Sequence, residues 1–244
     1  MSNSTLNDTI LSIALLAISA AAIMVFGSSL GFWEPIVGFA ASRQYNDYIG
    51  WGVVAISIFG ILYNIIKNNE ESHVIKPLFA LVLGLVILST TIMNFFVTPV
   101  RYPPIHDITT NVSNPPEFIF LNESRPGAKN SLVYGGQEVA DQQLTAFPSI
   151  KPIITTLSPD KAYEKALNIA SSMGWEMVST DPTLYHFEST ARTRFFNFAD
   201  DVVVQVVKID NGSRVDIRSV SRIGRGDRGM NAQRIIAFTE QFEK

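Results

Sequence analysis

Val202-Val-Val-Gln-Val-Val-Lys-Ile-Asp-Asn-Gly-Ser-Arg-Val-Asp-Ile-Arg-Ser-Val-Ser-Arg222 consists of two β-branched runs joined by Asp210-Asn211-Gly212. β-Branched residues fit a pleated surface, and an Asx-Gly turn between two such runs is a strong local hairpin signal. The period of two puts Val215, Ile217, Ser219 and Ser221 on one face, and Asp216, Arg218, Val220 and Arg222 on the other. The carboxy-terminal part of the chain is therefore built on an antiparallel sheet.

The elements around this hairpin complete the architecture. Upstream, Trp175–Thr180 and Leu184–Thr193 are strand-like runs. Before them Ser158 offers an N-cap, Pro159 fits the first helical turn and Asp160 complements the positive helix end. Tyr163, Ala166, Leu167 and Ala170 mark one helical face, and Gly174 offers a left-handed stop. Downstream a second helix opens near Asp227, with Ile235, Phe238 and Phe242 on one side. The order helix, four strands, helix predicts a two-layer α+β domain over 153–244. Its mostly antiparallel sheet has about four strands, packed by two helices. Residues 101–152 are rich in Pro, Asn, Gly and Ser without a sustained period, and read as an extended linker.

Arginine is concentrated at the strand-to-helix corner. Arg214, Arg218, Arg222, Arg225, Arg228 and Arg234 lie within 21 residues, with Arg192 and Arg194 on a neighbouring strand. Two readings are open. Guanidinium forks beside a helix start form an anion site, which makes Arg192, Arg218, Arg222, Arg225, Arg228 and Arg234 candidates for an anionic ligand or partner. Alternatively these arginines lie on a solvated sheet face, paired across strands with Asp200, Asp201, Asp216 or Glu188.

Other chemistry is sparse. His106-Asp107, Asp200-Asp201, Asp227 and Asn231 are the polar residues a site could draw on. Neighbouring carboxylates on a strand point to opposite faces, so Asp200-Asp201 is a weak cation motif. His73 and His186 stand in unrelated contexts. Gly224-x-Gly226-x-x-Gly229 has the spacing of a dinucleotide loop, but the chain ends before a second parallel strand and its acidic residue. No cofactor or metal is expected. The absence of cysteine excludes disulfides and thiolate ligands.

The first hundred residues differ in kind. They carry three basic and five acidic residues, against 16 and 17 in residues 101–244. Both parts are near neutral, which argues against nucleic acid as a partner. Uncharged windows of 25, 19 and 24 residues occupy 9–33, 48–66 and 77–100. About 20 apolar residues cross a hydrocarbon core, so the windows predict a membrane domain over 1–100 with three spans, near 10–32, 48–66 and 78–99. Asp8 and the lack of any Lys or Arg before Arg43 favour an uncleaved anchor over a signal peptide. Gly50, Gly52 and Gly60 in the second window suit close helix packing or are ordinary span composition. Charge leaves the orientation tied: Lys67 and Lys76 stand on one side, Arg43 and Arg101 on the other.

Three segments together resemble the domain of unknown function 1499 family. They are Pro104–Thr110 followed by Pro115-Pro116, Tyr185–Phe196 running into Phe198–Val202, and Ile217–Ile235. The resemblance spans roughly residues 102–244, and Arg228 stands where the family pattern carries an aliphatic residue. It implies a bacterial inner-membrane protein with its carboxy-terminal domain in the periplasm. It assigns no catalytic residues. The expected function is an extracytoplasmic binding or scaffold domain, tethered in the lipid bilayer, for an anionic lipid, a glycan or an envelope protein. The alternative is an envelope lipid- or glycan-modifying enzyme using His106 or Asp200/Asp201.

Overall fold

The computed structural model describes residues 3–67, 74–98 and 100–244. His73 and Pro99, the end of the third expected span, lie outside these. The chain forms two compact units, one of Met1–Val100 with Arg194–Asn197, the other of Arg101–Thr193 with Phe198–Lys244.

The first unit is helical: α1 (Asn3–Phe26), α2 (Pro35–Ile66), α3 (Ile75–Ile87) and α4 (Ser89–Phe96). α1 and α2 are each long and apolar enough to cross a membrane. The third expected span is not one helix, because α3 and α4 are bent by 66° at Leu88. Tertiary contacts to α2 stand at the bend. Leu88 is fully buried at Gly50, where a Cβ would come within 2.6 Å of it. Just beyond lies Ser89-Thr90-Thr91, whose Thr91 hydroxyl donates to Asp47 of α2 at 2.5 Å. α2 also begins thirteen residues before its expected boundary of 48, so Arg43 and Asp47 are helical. Ile10 and Ala14 of α1, Val53 of α2 and Ala80 of α3 form the seam of the unit. The close-packing reading of the glycines holds at Gly60, where a Cβ would lie 2.5 Å from Ile10. Beside it Asn64 donates to Asn7 at 2.9 Å and to the Gly60 carbonyl at 2.7 Å, so its buried amide is satisfied.

The second unit runs β1 (Asp107–Thr109), α5 (Gly136–Ala146), β2 (Ile153–Thr155), α6 (Pro159–Ser172), β3 (Glu176–Asp181), β4 (His186–Arg192), β5 (Ala199–Ile209), β6 (Gly212–Ser221) and α7 (Met230–Phe242). The sheet is antiparallel and has six strands, two more than expected, in the order β1-β6-β5-β4-β3 with β2 also on β6. The two extra strands are three residues each, too short to display a period. They lie end to end along the outer edge of β6, β2 against Ser213–Val215 and β1 against Arg218–Val220. Residues 101–152, expected as an extended linker, thus carry β1 and α5. Gln143 of α5 then mimics a strand partner, accepting from the Thr109 amide at 2.9 Å and donating to its carbonyl at 2.7 Å. That covers an edge which would otherwise expose ladder groups.

α6 and α7 cover one sheet face, as the sequence periodicity predicts. Ala162, Ala166, Phe238 and Ile235 bury against Phe187, Val204 and Ile217. Gly174 ends α6 at φ 73°, and Asp227 accepts from the amides of Gly229 and Asn231 at 2.9 and 2.6 Å. α7 itself starts three residues after Asp227.

Candidate functional site

The opposite sheet face is not solvated. A strap of coil, residues 111–134, lies over it and is fastened by charged side chains of the sheet. Glu188 of β4 is fully buried and acts as the main fastener. Its carboxylate accepts from the amide of Ile119, from Phe120 at 3.0 Å and from Leu121 at 2.6 Å. His186 Nε2 meets the same carboxylate at 3.0 Å, while its Nδ1 meets Gln205 Oε1 at 3.0 Å. The Gln205 amide nitrogen donates to the Leu184 carbonyl at 2.6 Å, which turns its oxygen to the ring. Both ring nitrogens therefore face acceptors, as an imidazolium requires. Burial alone would lower the His186 pKa, but the bonds to Glu188 and Gln205 hold it above the ordinary histidine value. Burial would raise Glu188, yet His186 and the three strap amides hold it below the ordinary carboxylate value.

The arginines of this face are internal. Arg218 is 2 % exposed and grips Asp107 with both arms of the fork, at 2.9 and 2.7 Å. It also donates to the carbonyls of Pro116 at 3.2 Å and Leu132 at 2.7 Å, between the rings of Phe118 and Tyr134, each 5.4 Å away. Burial raises the Asp107 carboxyl, against the pull of the Arg218 charge. Arg222 binds Asp201 at 2.8 and 3.0 Å, Thr190 at 2.9 Å and the strap carbonyl of Pro126 at 3.0 Å. Arg125 of the strap reaches the other Asp201 oxygen at 2.6 Å.

Asp200 points to the helix face, so the adjacent carboxylates are separated by the sheet. It pairs with Arg234 of α7 at 2.6 Å. Arg234 also binds Ser219 at 3.0 Å, and Asn231 links Ser221 at 2.9 Å to the His106 carbonyl at 3.0 Å. Arg192 pairs with Glu176 at 2.8 Å near the sheet edge, and Arg225 and Arg228 are exposed on the turn before α7. The expected cross-strand pair exists at Asp201, with Arg222, but it is buried under the strap rather than solvated; Asp200 pairs instead with Arg234 of α7. The structure does not bring His106, Asp200 and Asp201 into one cleft.

Within the strap, between its segments 115–123 and 132–134, lies an open groove of about 520 Å³, lined by Phe118, Leu121, Val133 and Tyr134, with Arg218 the contribution of the sheet. The Tyr134 hydroxyl is buried there without a hydrogen-bond partner. Its pKa is pushed up to about 12 by burial and by the Asp107 charge, with Arg218 pulling the other way. Arg125, Phe118 and Tyr134 had no signal in the sequence, because they sit in aperiodic coil. Among the described residues no group of three or more His, Cys, Asp or Glu is arranged to hold a metal ion.

Comparison with known families matches residues 107–242 to the model described as protein of unknown function (DUF1499). No curated protein matches the chain. The matched segment starts at β1 and ends with α7, taking in the sheet, the strap and the groove. It covers more than half of the 244 residues, and the protein belongs to the DUF1499 family, with apolar helices preceding the family domain.

Proposed function

We propose that the protein is a membrane-anchored binding protein that holds an envelope component or partner outside the cytoplasm and does not transform it. The observation that carries this reading is the groove within the strap. It is open and amphipathic, and its one arginine is already neutralised by Asp107. The acid–base candidates of the enzymatic alternative are dispersed instead. Asp200 and Asp201 lie on opposite faces in separate ion pairs, and His106 offers its backbone carbonyl to Asn231. Two apolar helices supply the tether.

The test is photocrosslinking of the full chain in intact bacterial membranes. The photoreactive residue replaces Val133, which is 78 % exposed on the groove rim. A topology reporter is fused after residue 244. The expected result is a discrete crosslinked adduct, together with a reporter active outside the cytoplasm. A cytoplasmic reporter signal, or no adduct at position 133, overturns the reading.

A further inference from the structure

One side of α4 is apolar and exposed. At 3.6 residues per turn Ile92, Met93, Phe95 and Phe96 fall within one arc of roughly 160°, with Thr90, Thr91 and Asn94 in the other. Met93, Phe95 and Phe96 are 58, 79 and 83 % exposed. What meets this face follows from the level at which α4 leaves the helices it is joined to.

α2 and α3 run antiparallel and in step. A Cβ on Gly60 would lie 3.2 Å from Pro77, one on Gly84 3.1 Å from Val53 and one on Gly50 2.6 Å from Leu88. Polar groups mark the two ends of this packing. At one end Lys76 meets Asp8 at 2.5 Å, and Asn64 bonds Asn7 at 2.9 Å. At the other stands Asp47, which closes the uncharged run 48–66. From Asn64 to Asp47 α2 rises about 26 Å, close to the roughly 30 Å of a hydrocarbon core. Leu88, level with Gly50, lies within one turn of α2 from Asp47. The bend therefore falls at the hydrocarbon boundary. Inclined by 66° to α3, the eight residues of α4 advance only about 5 Å along the α3 axis, against about 12 Å for an unbroken helix. The Thr91 hydroxyl, on the polar side, is held at that level by Asp47. An amphipathic helix at this depth keeps its polar side among the head groups and buries its apolar side among the acyl chains.

We infer that α4 is an interfacial helix lying in the plane of the bilayer, whose Met93, Phe95 and Phe96 insert between phospholipid acyl chains. This rests on α1 and α2 crossing the membrane, and not on what the carboxy-terminal domain binds.

The chain contains no cysteine, so a single introduced cysteine carries a spin label at one defined position. The full chain is reconstituted in vesicles of phosphatidylethanolamine and phosphatidylglycerol, with labels at Thr90→Cys, Met93→Cys, Asn94→Cys and Phe96→Cys. Electron paramagnetic resonance measures collisions of each label with oxygen, which concentrates in the acyl chains, and with a water-soluble nickel chelate. Tyr48→Cys and Phe59→Cys, at positions 77 and 59 % exposed on α2, calibrate the boundary and the hydrocarbon core. The labels at 93 and 96 are expected at one common depth, rich in oxygen collisions and just inside the level of position 48. Those at 90 and 94 are expected to be severalfold more accessible to nickel. Depth that decreases steadily from 90 through 96, as in a continued span, overturns the inference. So does ready nickel access at all four positions. Screening of 93 and 96 from both reagents, the mark of a second copy packed on the face, overturns it as well. The position-133 adduct and the topology reporter are read separately, so the binding-protein reading stands or falls independently of this outcome.

Discussion

Arg218 shows why residue type alone did not assign the arginines. Four hydrogen bonds, two aromatic faces and a carboxylate surround its guanidinium, so the anion it is built to grip is Asp107, 111 residues earlier in the chain. A period of two places Arg218 on its face of the sheet, but nothing local announces that this face is covered. Removing one member of a buried pair leaves the other charge uncompensated. Arg218→Ala should therefore destabilise the carboxy-terminal unit by about 3–5 kcal/mol. The double variant Asp107→Leu/Arg218→Met should recover much of that loss, because apolar replacement of both partners removes the stranded charge. Urea denaturation of the full chain, followed by near-ultraviolet circular dichroism, reads both. A single variant as stable as wild type would refute the account.

Among the elements, the strap and β6 set the limit of sequence reading. The strands and helices with a period were legible: β5, β6, α6 and α7 lie within a few residues of their expected bounds. β1 and β2 were not, since three residues cannot show a period and their pairing depends on β6. The strap was missed because it has no period at all. It is ordered by donating its amides to Glu188, a non-local contact across 67–69 residues. Glu188→Gln keeps the shape of the side chain but leaves one acceptor oxygen where there were two, and removes the charge. The amides of Ile119, Phe120 and Leu121 are then expected to exchange with deuterium at least about tenfold faster, as local opening becomes easier. Protection along the paired amides of β5 and β6 should be retained. Unchanged exchange at 119–121 would show that the strap is held by something else.

For the molecule as a whole, the buried His186–Glu188 pair ties stability to pH, with opposite signs on its two sides. His186 is raised above 6.5, so the folded state keeps a proton that the unfolded chain has released. Its contribution is complete below 6.5 and is lost as pH rises through the folded value. Glu188 is lowered below 4.5, so its contribution is complete above 4.5 and is lost as pH falls through the folded value. The pair therefore contributes most between about 4.5 and 6.5. The melting temperature of the full chain should fall more steeply above pH 6.5 in wild type than in His186→Gln. Parallel pH profiles for the two proteins would exclude a protonated His186.

The sequence by itself predicted three apolar spans, of which two are single helices, and determined an antiparallel sheet with helices on one face, and the family. Each of these follows from local periodicity, charge-free length or a contiguous pattern, and needs no knowledge of distant contacts. Only the tertiary structure decided the break at Leu88, the two extra strands, the covered second face and the occupancy of the arginines. Those depend on which residues meet across large separations: Leu88 with Gly50, Asp107 with Arg218, Arg125 with Asp201, and Glu188 with the strap. A charge reads the same in a sequence whether it faces water or a partner. Burial, which decides between them, is a property of the whole fold.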